Sequence, residues 1–299
     1  MRRLIRQLVR PETVAVLVAA WLAGALGLGL ASGAAAVPTV ALMALGLLLG
    51  CLLLLIRHSL VLASRIANLD RDNKRTFDTL RQVRAESQKE IKQTFRQLEA
   101  LQNLNDVLPP TDLLPPTRGW AASPDLLMVL VDLVITERPS LVVECGSGAS
   151  TLWIALAMRR FQIDGRIVSL EHDSAFAGKT RDFLARHKVL DLVEIRDAPL
   201  ESFSIDGENY SWYATRTWED LKGIDLLFVD GPPAATGHHA RYPGLPLLSG
   251  LLSPAATIVL DDLIVPDMQE TLRLWLDAYS DFGSEILTLE KQAAVLRRS

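Results

Sequence analysis

Apolar and polar positions divide the chain into three regimes. The first holds two uninterrupted apolar runs. Thr13–Ala31 carries no charge and is almost wholly Ala, Val, Leu, Gly and Trp; Val37–Ile56 reads the same way. Each run approaches the roughly 20 residues that cross a bilayer as a helix. The link Ser32–Ala36 and Pro38 separate them. Arg2, Arg3, Arg6 and Arg10 precede the first run, Arg57, His58 and Arg65 follow the second, and the link is uncharged. By the positive-inside rule both outer ends are cytoplasmic, which predicts a multi-pass hairpin of two transmembrane helices over residues 1–58. The basic start and Ala34-Ala35-Ala36 also suit a signal peptide. The run is too long for one, however, and a second run follows at once. Gly46 and Gly50 form a G-x-x-x-G that permits close helix packing.

The second regime is polar and periodic. Residues 60–106 contain no Gly or Pro and are rich in Arg, Gln, Glu, Leu and Lys, which favours one long helix. Ile66, Leu69, Asn73, Thr76, Leu80 and Val83 keep a three–four spacing, and Ile91, Leu98, Leu101, Asn105 and Leu108 resume it after a slip. This is a partial heptad. It fits a stalk over 59–108, either solitary or paired as a coiled-coil homodimer. Pro109, Pro110, Pro115 and Pro116 end the helix and make residues 109–118 a stiff linker.

The third regime, 119–299, alternates. Ser123 and Pro124 open a helix over 124–137. Apolar runs follow at Leu141–Cys145, Ile167–Glu171, Leu192–Arg196, Asp225–Asp230 and Ala256–Asp261, with helical stretches at 150–160, 174–187, 243–252 and 266–280. The connection 197–224 has no clear assignment. Continuous apolar runs mark strands covered on both faces, hence a parallel sheet. Glu285–Leu289 and Ala293–Arg297 read as a closing antiparallel hairpin. The predicted fold class is α/β: a doubly wound, mostly parallel, seven-stranded Rossmann-like sheet, preceded by two transmembrane helices and a stalk.

Composition changes this picture little. A net charge of −4 gives no reason to expect nucleic acid as a partner. Two cysteines, one in an apolar run and one in a glycine turn, form neither a disulfide framework nor a zinc cluster. Cys145 reads as a small buried residue at a strand end.

Ligands of such sheets bind at the carboxyl ends of the strands, so the polar residues there are the candidates. The first strand ends in Glu144-Cys145-Gly146-Ser147-Gly148. Gly146 and Gly148 allow a tight turn and close approach of backbone to ligand. Glu144 would repel a pyrophosphate and suits a cationic or hydroxyl-bearing ligand instead. The second strand ends in Glu171, about twenty residues on, where a carboxylate can accept from both hydroxyls of a ribose. The alternative duty, capping the next helix, can fall to Asp173 or Ser174. Asp197 follows the third strand, Asp230-Gly231-Pro232-Pro233 the fourth and Asp261-Asp262 the fifth. Three carboxylates on one rim would repel one another unless a cation joined them, and hard oxygen ligands suit Mg²⁺.

The ordered set resembles the class I methyltransferases that use S-adenosylmethionine (SAM), in particular the catechol O-methyltransferase type. The glycine turn matches their first motif, with Ser150 in place of its last glycine. The resemblance implies that SAM is held by Glu144, Gly146, Ser147, Gly148, Glu171, Asp197 and Asp230, with Asp197 meeting the adenine amino group. It further implies that Asp230, Asp261 and Asp262 ligate Mg²⁺. The lysine base of those enzymes is replaced by Pro233. The candidate catalytic residues are therefore His238, His239 and Asp230, with Arg241 nearby on the same loop. Trp120, Trp212 and Tyr213 are candidates to line the pocket, though core packing is the commoner use of such residues.

The expected function is O-methylation of a sugar or other hydroxyl acceptor, a small molecule or a lipid-linked glycan, at the cytoplasmic face of the cell membrane. The alternative is a non-catalytic membrane scaffold with a SAM-binding domain. A nicotinamide-dependent oxidoreductase is disfavoured by Glu144, Ser150 and the terminal hairpin.

Overall fold

The computed structural model describes residues 10–31 and 36–298. Most of the predicted link Ser32–Ala36 and the basic residues Arg2, Arg3 and Arg6 lie outside the described residues. The chain divides into two compact units at Gln88/Lys89.

The first unit contains helix α1 (Pro11–Ala31) and most of helix α2 (Ala36–Val107). Among the described residues one helix, from Val40 onward, is long and apolar enough to cross a membrane by length and composition. The apolar part of α1 spans Glu12–Gly27 and falls short of that length. The predicted second span and stalk form a single helix of 72 residues. Nothing between Cys51 and Leu108 breaks it, because neither Gly nor Pro occurs there. Loss of apolar character at Arg57 changes what surrounds a helix, not whether it continues. Ile66, Leu69, Leu80 and Val83, the heptad positions of the stalk, are exposed.

The G-x-x-x-G positions are where α1 meets α2. Trp21 lies against Gly46, and its indole N–H donates to the Leu42 carbonyl at 2.9 Å. A Cβ at Gly50 would lie 2.6 Å from Val18 Cγ2. Replacing Gly46 by leucine is expected to displace Trp21 and weaken the pairing by about 1–3 kcal/mol, the usual cost of overpacking. Spin labels on the two helices would read this as a longer and broader distance distribution.

The second unit begins within α2. Gln97, Ala100 and Leu104 are buried there, as is Leu108 just past its end. Helix α3 (Pro124–Glu137) has Pro124 in its first turn, and Gln97 Oε1 accepts the Asp125 N–H at 3.1 Å. An otherwise orphan donor at the helix start is thus met by a side chain from α2.

A seven-stranded sheet follows, in the order β3-β2-β1-β6-β7-β9-β8. Its strands are β1 (Leu141–Cys145), β2 (Arg166–Glu171), β3 (Val193–Asp197), β6 (Ile224–Val229), β7 (Leu252–Leu260), β8 (Phe282–Leu287) and β9 (Ala293–Arg298). β3, β2, β1, β6 and β7 are parallel neighbours; β9 pairs antiparallel with both β7 and β8. Helices α4 (Ala149–Arg160), α5 (Ser174–Arg186), α6 (Gly244–Leu248) and α7 (Pro266–Ala278) complete the layers.

The apolar runs are continuous because each strand feeds two cores. Val142 packs with Leu126, Leu130 and Trp153 on one face. Val143 and Cys145 pack with Tyr213, Leu245 and Trp275 on the other. Burial pushes the Cys145 thiol up, so it stays protonated and serves packing.

The stretch without a predicted assignment, 197–224, contains a hairpin. β4 (Leu200–Ile205) pairs antiparallel with β5 (Glu208–Tyr213) through Asp206-Gly207, both with positive φ, 52° and 85°. Positive φ at both central residues is what a two-residue hairpin turn requires, and Asp-Gly is its sequence signal.

Candidate active site

The carboxyl ends of the parallel strands gather the candidate residues. At β1 the chain turns through Gly146 (φ 107°) and Gly148 (φ 148°) into α4. No side chain adopts these angles without strain. Gly148 N–H donates to Thr151 Oγ1 at 2.9 Å.

Glu144 is 1% exposed. Its carboxylate turns inwards, towards the start of α4. Ser150 and Thr151 donate to it, and Ser169 of β2 adds a longer bond at 3.3 Å. The hydroxyl-bearing partners expected for this residue are therefore the chain's own. Burial pushes its carboxyl up to about 7, against the pull of the three hydroxyls. Glu144 shapes the turn from beneath, joining β1, β2 and the N-terminus of α4.

Glu171 closes β2. It accepts from Ser147 Oγ at 2.8 Å and from the Asp173 N–H at 3.0 Å. Ser147 also contacts Thr180 Oγ1 of α5 at 3.2 Å, so the glycine turn, β2 and α5 share one polar junction. Asp173 caps α5, accepting from the Ala175 and Phe176 N–H groups at 2.9 and 3.0 Å. The capping duty that competed for Glu171 thus belongs to its neighbour. Asp197, at the end of β3, is mostly exposed and lies 3.3 Å from Arg181 Nη2.

Asp230, Asp261 and Asp262 do converge: one carboxylate oxygen from each lies within 4.8 Å of the others. Main-chain bonds set the level of this rim, Asp230 N–H to Cys145 O and Asp261 N–H to Val229 O, both 3.2 Å. The cation among them belongs to the chain. Arg241 Nη2 lies 3.1 Å from Asp230 Oδ1 and 2.7 Å from Asp262 Oδ2, and Nη1 donates to the Asp261 carbonyl at 3.2 Å. Lys291, from the β8–β9 turn, reaches Asp262 Oδ1 at 3.4 Å. Burial holds the Asp261 carboxyl well above the carboxylate range, with Asp230 and Asp262 adding to the shift. Burial also raises Asp230, to about 6, against the pull of Arg241.

The rim does not fit Mg²⁺ as it stands. Asp230 and Asp262 already face Arg241 and Lys291, and the guanidinium occupies Asp230 Oδ1 and Asp262 Oδ2, while Asp261 Oδ2 is buried without a partner. A divalent ion would have to displace Arg241 from both carboxylates and leave its buried charge without an anionic partner.

His238 and His239 face α7. His238 Nε2 is 3.4 Å from Asp267 Oδ1, and His239 Nε2 is 3.3 Å from Glu270 Oε2. Both Asp267 oxygens accept the His239 N–H at 3.1 Å. Trp212 and Tyr213 are fully buried core residues, whereas Trp120 is exposed. Tyr213 Oη abuts Gly231, where a Cβ would also lie 3.1 Å from the Cys145 carbonyl, so only glycine fits after Asp230.

The sequence reading missed Lys291, Thr180, Asp267 and Glu270. Lys291 had a usable signal, since it stands in the short polar turn before the last strand, the one that pairs back onto β7.

Residues 143–263 match the family described as "Methyltransferase domain". No protein of curated function matches the chain. Among solved structures, an O-methyltransferase from Bacillus cereus in complex with SAH is 20% identical over 68% of this chain and 90% of its own, with a TM-score of 0.46. The O-methyltransferase TomG from Streptomyces achromogenes, in complex with SAM, is 20% identical over 67% and 90%, with a TM-score of 0.46. A methyltransferase from Geobacter sulfurreducens is 17% identical over 67% and 88%, also with a TM-score of 0.46. The family match takes in the glycine turn, Glu171, Asp197 and the aspartate rim, and it supports a methyltransferase domain within the second unit.

Proposed function

We infer that the second unit transfers methyl groups from SAM to a hydroxyl acceptor, a sugar hydroxyl first among them, and that α1 and the apolar part of α2 hold it at the cytoplasmic face of a membrane as a two-helix hairpin. The observation that carries this reading is the junction of Glu171, Ser147 and the glycine turn. A buried carboxylate stands at the tip of β2, its helix-capping alternative taken by Asp173.

SAM supplies an electrophilic methyl group. Glu171 accepts the ribose hydroxyls, Gly146 and Gly148 let the backbone approach, and Asp197 meets the adenine amino group. Asp230 takes the acceptor's proton; a carboxyl near 6 is a usable base close to neutrality. Arg241 keeps the emptied and the loaded forms of Asp230 both tolerable in a buried place. His238 and His239 are turned to α7 and are not needed for this step. The exposed heptad positions of α2 would pair two chains as a stalk dimer.

A non-catalytic scaffold remains the second reading, favoured by Pro233 where the resembling enzymes carry lysine. Calorimetric titration of the full chain in detergent micelles with SAM tests the first. Glu171→Ala is expected to weaken binding by about 30-fold or more, two lost charge-assisted hydrogen bonds at 1.5–3 kcal/mol each setting the upper range. Absence of SAM binding by the folded wild type would overturn it. Binding without methyl transfer to any hydroxyl acceptor would favour the scaffold.

A further inference from the structure

A second cluster of donor atoms lies apart from the aspartate rim in chemistry as well as in partners. One ligand atom each from His238, His239 and Glu270 lies within 4.8 Å of the others. The rim offers oxygen only, whereas this cluster offers two imidazole nitrogens and a carboxylate, a set that suits zinc and its first-row neighbours rather than Mg²⁺.

The distances have the right scale. Zinc bonds of about 2.0–2.2 Å in a tetrahedron separate ligand atoms by roughly 3.3–3.5 Å. Within the trio, His239 Nε2 to Glu270 Oε2 is 3.3 Å; the supporting Asp267 lies beside both rings, its Oδ1 3.4 Å from His238 Nε2 and 3.6 Å from His239 Nε2.

His239 is 8% exposed, and its buried Nε2 has no hydrogen-bond partner. An orphaned imidazole nitrogen pointed at two carboxylates is costly unless something bridges them. The backbone is also arranged for a pair. His239 has φ 50°, and the two rings come within 3.7 Å, centroid to centroid. Consecutive side chains of an extended segment would point to opposite sides. Asp267 fixes this conformation by accepting the His239 N–H through both oxygens. That is the supporting role expected of a residue around a metal site. His238 and Glu270 are exposed enough to give an ion a path in, with side chains 78% and 51% accessible.

We propose that His238, His239 and Glu270, supported by Asp267, bind a zinc-class divalent cation that clamps the loop after β6 to helix α7. The same loop carries Arg241 to the aspartate rim, so the clamp holds the segment on which the rim's charge balance depends. The site does not rest on the methyl-transfer reading, and neither cofactor nor acceptor enters its test.

The full chain in detergent micelles is titrated with Co²⁺, whose visible absorption reports a low-coordinate nitrogen–oxygen site, and then with Zn²⁺ as competitor. The expected result is one Co²⁺ per chain, displaced by Zn²⁺ and not by excess Mg²⁺. His238→Ala and Glu270→Gln change exposed side chains and leave the fold intact; each is expected to weaken binding by at least about tenfold. No Co²⁺ spectrum, or equal affinity in both variants, would overturn the site. Hydrogen exchange supplies the second readout: Zn²⁺ is expected to slow exchange over residues 234–243 in the wild type and not in Glu270→Gln. Metal binding with unchanged exchange there would overturn the clamp.

Discussion

Replacing Arg241 by methionine is expected to cost about 3–5 kcal/mol of stability, the usual penalty for removing one partner of a buried ionic cluster. The volume is nearly kept, so the loss comes from charge. Asp230 and Asp262 would face each other with only Lys291 nearby, and Asp262 alone is within its reach. Urea unfolding followed by tryptophan fluorescence measures this directly, because Trp153, Trp212 and Trp275 lie fully buried in the two cores. The same variant has a second expected property. With the guanidinium gone, three carboxylates line an oxygen-only site, and millimolar Mg²⁺ should restore part of the stability. Wild-type stability should not respond to Mg²⁺. An Arg241→Met protein as stable as wild type would remove the charge argument. Strong stabilisation of the wild type by Mg²⁺ would show that the metal displaces the arginine after all.

Glu144→Gln is expected to act in the opposite direction, and only above mildly acidic pH. In the unfolded chain this carboxyl titrates near its ordinary 4.5; in the folded protein burial moves it to about 7. Between these values the folded state holds a proton that the unfolded state has lost. Stability therefore falls as pH rises through that window and levels off above it. The full shift corresponds to about 3 kcal/mol at 1.36 kcal/mol per unit. Glutamine has no proton to lose; its carbonyl oxygen keeps an acceptor for one of Ser150 and Thr151, and the other hydroxyl can accept from its NH2 group. The variant should match the wild type near pH 5 and exceed it by about 2–3 kcal/mol near pH 8. Parallel stability curves across that range would mean that Glu144 titrates normally.

These two residues also mark what can be read from sequence and what cannot. The strands were legible because each feeds two cores, as Val142 and Val143 do, which leaves an unmistakable apolar run. The order of acidic strand ends was legible for the same reason, since a polar residue closing such a run stands out. The direction a side chain takes was not. Glu144 looked like a ligand contact, and the hydroxyls that claim it lie one helical turn downstream and on the adjacent strand. Arg241 was visible as a nearby cation, but its place among three aspartates depends on how a thirteen-residue connection folds back, from Gly231 to Pro243. The hairpin at Asp206-Gly207 carries a local turn signal, but its half-exposed strands form a separate two-stranded sheet and leave no continuous apolar run. The single helix from Ala36 to Val107 shows a different limit, because a change of polarity marks a change of environment without marking an end.

The position of β9 between β7 and β8 sets an order in time. β8 precedes β9 in the chain yet bonds only to it, so β8 has no sheet to join until its successor arrives. Main-chain bonds from Leu263 and Ile264 to the carbonyls of Gln292 and Lys291, 3.1 and 2.8 Å, form at that same step. They bring Lys291 to Asp262. The aspartate rim is built by β6 and β7, but its second cation comes with the last pairing. A chain halted before that step carries a rim with an unbalanced negative charge, held by Arg241 alone. Closure of the sheet and neutralisation of the site are then one event, and slow antiparallel closure would delay a competent rim by as much as it delays the fold.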